Sequence, residues 1–150
     1  MKKIAQVLFF ATLLIACSGK KNIPQTREKA TQTEEKGNLY QKWKLVEVSY
    51  YPEEGEIAEV MSVSYRDKNL FIEFSKDGRM NFNLDVNNCS ATFKEGENQT
   101  LIFKATDFIC TQICCDTVKL NYHKIKRYKF YKNQLILHTD TESFDLELAK

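Results

Sequence analysis

The chain is poor in the residues and motifs that usually mark an enzyme. Its 150 residues include only two histidines, two prolines and one tryptophan. His123 and His138 lie apart from any serine–carboxylate pattern, and neither a phosphate loop nor a metalloprotease motif occurs. Because no set of acid, base and nucleophile can be assembled, we expect a protein without enzymatic activity and without a cofactor.

A net positive charge is also missing once the first residues are set aside. Residues 1–16 hold two of the 22 basic residues and none of the 20 acidic ones, so the remaining chain is close to neutral. Proteins that bind nucleic acid need a net basic surface to neutralise phosphates. We therefore expect no nucleic-acid partner.

The sequence lacks a long hydrophobic run, and the short run at its amino terminus has a distinctive layout. Lys2 and Lys3 precede an apolar stretch over residues 4–15. That stretch is shorter than the roughly 20 residues that a membrane-spanning helix needs. Positive charge followed by a short apolar run is typical of a secretory signal peptide. The sequence therefore predicts a signal peptide over residues 1–16.

The end of this run, Leu14-Ile15-Ala16-Cys17, resembles the lipobox of bacterial lipoproteins. The resemblance implies cleavage before Cys17, a lipid chain on its sulfur, and acylation (palmitate or a similar fatty acid) of the new amino terminus. Ser18 after the cysteine resembles the signal that directs lipoproteins to the outer membrane. We expect a protein anchored through Cys17 to the bacterial envelope; an ordinary signal peptide with an incidental cysteine is the alternative.

The rest of the chain divides into a polar segment and one domain. After Cys17, residues up to 38 are mostly polar and cannot bury enough apolar surface to offset the entropy of ordering. We interpret residues 17–38 as a lipidated, flexible tether. Residues 39–150 have the length of a single domain, which we expect to be monomeric.

Alternating apolar and polar residues predict that this domain is mainly β. A turn is expected at Lys76-Asp77-Gly78-Arg79 and another at Asn87-Asn88, while residues 57–65 are ambiguous with a weak helical spacing. Val118, Tyr122 and Ile125 have the spacing of a helix over 117–126. Short alternating strands at regular intervals favour a closed or nearly closed antiparallel sheet. The strands are predicted over 43–51, 69–75, 80–86, 89–93, 100–105, 127–132, 134–139 and 143–149.

The order of these segments is similar to that of the META domain, the HslJ-like family of exported bacterial proteins. The resemblance is carried by W-K-L at Trp43, the hairpin F-S-K-D-G-R-M-N-F, N-C-S at Cys89, T-Q-I-C-C ending at Cys115, and L-I-L at Leu135. It implies a barrel-like antiparallel sheet, cracked or half-open, of about eight strands packed around one helix. It implies no reaction.

Two cysteines of that family correspond to Cys89 and Cys115. With Cys17 lipidated, four cysteines remain, and outside the cytoplasm an even number indicates disulfides. Three pairings are possible. The resemblance implies Cys89–Cys115, which leaves Cys110–Cys114, whereas a bond between the neighbours Cys114 and Cys115 would be strained. Four thiolates could instead hold zinc or copper(I).

The sequence therefore leaves three functional hypotheses open. The first is a non-enzymatic envelope lipoprotein that binds an envelope partner or maintains the envelope. The second is a lipocalin-like carrier of a small apolar ligand, and the third is a copper- or zinc-binding protein that uses the cysteines. For the carrier, aromatic rings would line a cavity, although they fill a solid core equally well: Phe71, Phe74, Phe82, Phe93, Phe103 and Phe130. Basic residues after position 118 form a cluster that is either a plain solvated face, which the sequence favours, or a patch that rests on anionic lipid headgroups or lipopolysaccharide: Lys119, Lys124, Lys126, Arg127, Lys129 and Lys132.

Overall fold

The structure, a computed structural model, describes residues 37–113 and 116–150. The predicted signal peptide, Cys17 and nearly all of the predicted tether lie outside the described residues, as do Cys114 and Cys115. The described residues form ten antiparallel strands: β1 Lys42–Tyr50, β2 Met61–Ser64, β3 Phe71–Phe74, β4 Arg79–Leu84, β5 Asn87–Glu95, β6 Leu101–Phe103, β7 Ile109–Cys110, β8 Arg127–Tyr131, β9 Gln134–His138 and β10 Glu142–Leu148.

Eight of these strands follow one another round a nearly closed, barrel-like sheet, which confirms the predicted fold class. The order is β6-β5-β4-β3-β1-β10-β9-β8, and every pairing is antiparallel. Strand β2 pairs with the second half of β1, and β7 pairs with the first half of β5. The predicted strands thus occur in the predicted order, and the ambiguous segment 57–65 contains the short strand β2.

The sheet has a single seam, between β6 and β8. An isolated bridge joins Thr100 to Arg127 there, and the backbone N–H of Leu101 donates to the carbonyl oxygen of Lys126 at 2.8 Å. The carboxylate of Glu95, at the end of β5, accepts hydrogen bonds from the hydroxyls of Tyr40 and Tyr128. These few bonds hold the two ends of the sheet together.

The interior of the sheet is filled by side chains that alternate with outward-facing ones along each strand. Aromatic rings meet edge to face: the centroids of Phe74 and Phe93 are 5.4 Å apart, and those of Phe82 and Tyr122 are 4.9 Å apart. Such contacts add to the burial of apolar area in a core. The side chains with almost no exposed surface are Leu45, Val48, Leu70, Ile72, Phe74, Met80, Tyr122, Leu135, Leu137, Phe144 and Leu146.

The helix predicted over 117–126 is shorter in the structure. Only a 3₁₀ turn forms, Tyr122–Lys124, although Val118, Tyr122 and Ile125 are all buried as their spacing indicated. The irregular chain on either side of the turn places these residues in the core without an α-helix. Burial raises the pKa of Tyr122, whose hydroxyl has no hydrogen-bond partner in the described part of the chain.

Two hairpin turns depend on positive φ angles. Gly78 has φ of +82°, and a Cβ atom there would lie 2.9 Å from the carbonyl oxygen of Phe93, so glycine fits this predicted turn. The turn predicted at Asn87-Asn88 lies two residues earlier, at Asp85-Val86, with Asp85 at φ of 77°. Asn87 consequently begins β5 and is buried.

None of the described helical segments is long and apolar enough to cross a membrane.

Candidate functional site

The segments that hold Cys89 and Cys110 lie side by side. The first residues of β5, Asn87 to Ser90, pair with β7, so that Cys89 is opposite Cys110 and Ser90 is opposite Ile109. Beyond β7, the N–H of Thr111 donates to the carbonyl oxygen of Asn88 at 2.9 Å, which continues the pairing. Segments whose cysteines are 21 residues apart in sequence thereby form one surface.

The disulfide in this structure joins Cys89 to Cys110, so the predicted pairing Cys89–Cys115 is wrong. The reason is the register of β5 and β7, which places Cys89 directly opposite Cys110. Cys110 therefore does not pair with Cys114. Cys114 and Cys115 lie outside the described residues.

The buried side chain of Asn87 fastens the chain on both sides of Cys114 and Cys115. Its Oδ1 accepts from the hydroxyl of Thr111 and from the N–H of Ile113, both at 2.8 Å. Its Nδ2 donates to the carbonyl oxygen of Ile113 at 2.8 Å and to Oδ2 of Asp116 at 2.7 Å. The carboxamide thus uses its full hydrogen-bonding capacity, as a buried polar group should.

Two aspartates reinforce this attachment. Oδ1 of Asp116 accepts from the backbone N–H groups of Val86 and Asn87, each at 3.2 Å. The hydroxyl of Thr117 donates to Asp85 at 2.5 Å, and this hydrogen bond is the main reason that the pKa of Asp85 is lowered. The disulfide therefore ties β7 to the β4–β5 hairpin, and an amide and two carboxylates tie the segment after β7 to it.

With β7 in place, the outer face of the sheet forms an open groove of about 700 Å³, which we call the amide groove. It runs across the strands along two rows of outward-facing residues. The first row is Lys42 on β1, Glu73 on β3, Asn81 on β4, Ser90 on β5 and Ile109 on β7. The second row includes Phe71, Asn83, Asn88 and Thr111.

The polar groups of the groove are of two kinds. Asn83 is structural, because its Nδ2 donates to the carbonyl oxygen of Asn69 at 2.7 Å and its Oδ1 accepts from the N–H of Phe71 at 2.6 Å. The carboxamides of Asn69, Asn81 and Asn88 make no hydrogen bond to other described residues. Each can offer two donors and one acceptor to a bound molecule.

The groove carries little charge and has apolar ends. Lys42 and Glu73 are its ionisable side chains, one of each sign, and Nζ of Lys42 lies 4.5 Å from the ring centroid of Phe71. Phe71 is half-buried, and Ile109 at the other end is 68% exposed. Such a surface is suited to a neutral, polar ligand with some apolar area.

Local sequence patterns predict only part of this groove. The N-C-S segment at Cys89 and the disulfide candidate Cys110 stand out in the sequence, and the structure brings them together. No sequence pattern marks Asn69 or Asn81 as groove residues. Phe71 was expected with the core aromatics, but it alternates with Ile72 and shares the outer face with Glu73. The alternation of Asn81, Phe82 and Asn83 was the available signal, since it places two amides on one face.

The other aromatic residues of the carrier hypothesis lie in or beside the core. Phe74, Phe82 and Phe93 are buried, and Phe103 and Phe130 are half-buried against them. Their rings contact one another, Trp43 or, in the case of Phe82, Tyr122, which corresponds to the alternative of a solid core.

A four-thiolate metal site does not form in this structure, since the sulfurs of Cys89 and Cys110 are bonded to each other. Among residues 37–113 and 116–150, no group of three or more histidine, cysteine, aspartate or glutamate side chains could hold a metal ion.

The two histidines lie on separate elements, as expected from the sequence. His123 is exposed in the 3₁₀ turn, and His138 is half-buried at the end of β9 opposite Arg127. Burial, together with the charges of Lys129 and Arg127, lowers the pKa of His138 to about 4. His138 is therefore neutral at pH 7, and it does not line the groove.

Comparisons with known proteins give a structural neighbour and no family. No family model and no curated protein matches the chain. The crystal structure of a DUF4847 family protein from Bacteroides vulgatus is similar, with a TM-score of 0.46 and 12% sequence identity, over 75% of this chain and 94% of that chain. At that identity and score, the neighbour assigns no function.

Replacing Asn87 by alanine should destabilise the protein by about 2 to 3 kcal/mol, because several hydrogen bonds are lost and buried partners are left unpaired. Asn81→Ala is the matched control, since this exposed amide has no partner among the described residues, and it should change stability by less than about 0.5 kcal/mol. Urea unfolding of the two variants checks this. Equal effects would contradict the role given to Asn87.

Stability should also depend on the protonation of His138. Its pKa is lower in the folded state than in the unfolded chain, where it is about 6.5. Between pH 6.5 and pH 4 the unfolded state therefore binds more protons than the folded state, so the free energy of unfolding decreases as the pH falls. The loss should be about 1 to 2 kcal/mol, allowing for partial exposure of the ring to solvent.

Comparing His138→Gln with the exposed control His123→Gln isolates this effect. Urea unfolding at pH 6.5 and at pH 4 gives the decrease in the free energy of unfolding between the two pH values. This decrease should be smaller in His138→Gln than in the wild type, and in His123→Gln it should equal that of the wild type. The same loss in all three proteins would contradict the assignment.

Proposed function

We propose that this protein is a non-enzymatic lipoprotein of the bacterial envelope whose β domain binds a ligand in the amide groove. The observation that carries the proposal is the group of outward carboxamides, those of Asn69, Asn81 and Asn88, that have no partner among the described residues. They line a groove that is large enough for a small ligand. Amides grouped on one face supply directional hydrogen bonds without a net charge.

The composition of the groove favours binding over catalysis. Lys42 and Glu73 are the ionisable groups of its lining, and they stand opposite each other on adjacent strands. Its sulfur atoms belong to the Cys89–Cys110 disulfide, so they are not nucleophiles. General acid–base or nucleophilic chemistry needs a positioned base beside an activated group.

Exposed basic residues on β8 support contact with a membrane surface. Arg127 and Lys129 alternate with the half-buried Phe130 and lie on the outer side of the strand. Their positive charges would favour contact with anionic lipid headgroups.

The resemblance to the META/HslJ-like family supports the same proposal. That family consists of exported proteins, and the fold that the resemblance implies, a barrel-like antiparallel sheet, is the fold of this domain. A location at the outer membrane is supported by Ser18 after Cys17, which resembles the signal that directs lipoproteins there.

Lipid attachment should require Cys17. When the full chain is produced in a Gram-negative host fed an alkyne analogue of palmitate, the wild type should be labelled and recovered with the membranes. Cys17→Ala should lose the label and leave the membrane fraction, whereas Cys110→Ala, the control for loss of a cysteine, should keep both. Labelled Cys17→Ala protein in the membrane fraction would contradict the anchor.

Occupancy of the groove should require its amides. The full lipidated chain, extracted in mild detergent, should carry a non-covalent adduct in native mass spectrometry. The adduct should be lost in the double variant Asn81→Ala/Asn88→Ala and kept in Lys94→Ala, which alters an exposed residue of β5 outside the groove. A wild type without an adduct, or one adduct in all three proteins, would contradict binding in the groove.

A further inference from the structure

We propose that the ligand of the amide groove is a neutral, N-acetylated oligosaccharide, of the kind that forms the glycan strands of the bacterial cell wall. This inference rests on the proposed function and names the class of ligand. It follows from the charge of the groove, the chemistry of its amides, and the position and length of the groove on the sheet.

The balanced charge of the groove argues against strongly charged ligands. Lys42 and Glu73 contribute one charge of each sign, so neither an anion nor a cation finds a surplus of opposite charge. A phosphorylated ligand would require several basic groups, and arginine above all. A purely apolar ligand would remove the amides from water without giving them partners, which costs free energy. A neutral ligand with many hydroxyl and amide groups avoids both penalties.

The carboxamides favour an acetamido sugar over a plain one. Each asparagine side chain presents N–H donors and a carbonyl acceptor. An acetamido group is a trans amide whose N–H and carbonyl oxygen point in opposite directions, so it can donate to one carboxamide and accept from another. Asn81 and Asn88 lie on neighbouring strands, β4 and β5, with Ser90 opposite Asn81. The acetamido group can bond to an amide, and the ring hydroxyls can bond to the serine.

Apolar groups are available for the carbon faces of the sugar rings. The half-buried ring of Phe71 lies at one end of the groove, and the exposed side chain of Ile109 lies at the other. An acetamido methyl or a ring face can pack on either. Thr111 adds a polar edge beside Ile109, although its hydroxyl already donates to Asn87.

The position of the groove favours a glycan over an extended peptide. From β3 through β4 and β5 to β7 there are three spacings between strands, or about 14 Å, which accommodates a short oligosaccharide. The groove crosses the face of the sheet. An extended peptide gains its main-chain hydrogen bonds at an open sheet edge, and across a face its own backbone would pair only with side chains.

Calorimetric titration of the full lipidated chain in detergent tests this inference. The probes are the β-1,4-linked tetrasaccharide of N-acetylglucosamine and that of glucose, which has hydroxyls in place of the acetamido groups. The acetylated probe should bind saturably and at least about tenfold more tightly. Each of Asn81→Ala and Asn88→Ala should weaken its binding by roughly three- to tenfold, and Lys94→Ala should not.

The source of the glycan is tested with purified cell-wall sacculi. The wild type should sediment with sacculi, and Asn81→Ala/Asn88→Ala should stay in the supernatant. Both substituted side chains are exposed and make no hydrogen bond to other described residues, so we expect the variants to fold. Their circular dichroism spectra should therefore match that of the wild type.

Three results would overturn the inference: no saturable binding of the acetylated probe, equal binding of the two probes, or binding that the asparagine substitutions leave unchanged. If the acetylated probe does not bind while the adduct in native mass spectrometry depends on Asn81 and Asn88, the proposed ligand class is wrong and the groove remains a binding site. If that adduct is also absent, the proposed function fails as well.

Discussion

The buried carboxamide of Asn87 is the interaction on which the rest of the site depends. It bonds to Thr111, to both backbone groups of Ile113 and to Asp116, so one side chain holds the segment after β7 against the start of β5. A buried amide in a low-dielectric environment forms strong bonds when it is satisfied and is costly when it is not. This one residue therefore favours a single position of the segment.

The disulfide holds β7 beside β5, and the pleat of the sheet directs alternate side chains of β5 towards the groove. The Cys89–Cys110 bond holds β7 in the register that its pairing with β5 sets, and the alternation of side chains along β5 then separates two roles. Cys89 and Ala91 are buried, while Asn88 and Ser90 face the groove, which Cys89 also lines. The same strand thereby stabilises the fold and presents polar groups for binding, which couples the stability of the site to that of the sheet.

Local patterns predict much of this fold and less of the site. The strands and the Gly78 turn follow from alternation and from glycine's access to positive φ, both of which are local properties. The predicted helix over 117–126 is longer than the observed 3₁₀ turn. The spacing of Val118 and Tyr122 indicates only that these residues are buried, and an irregular chain can bury the same residues. The partner of Cys89 depends on the register of two strands that are distant in sequence, which no local pattern contains. The groove has the same origin, since it exists only when β7 lies beside β5.

The most direct test of this account is a map of the disulfide in the protein exported to an oxidising compartment. Digestion with trypsin without reduction should release residues 80–94 covalently linked to residues 105–119, and fragmentation of this pair should place the bond between Cys89 and Cys110. That result would support the register of β7 and the groove that it completes. A bond from Cys89 to Cys114 or Cys115 would contradict the register, and with it the surface on which the proposed binding depends.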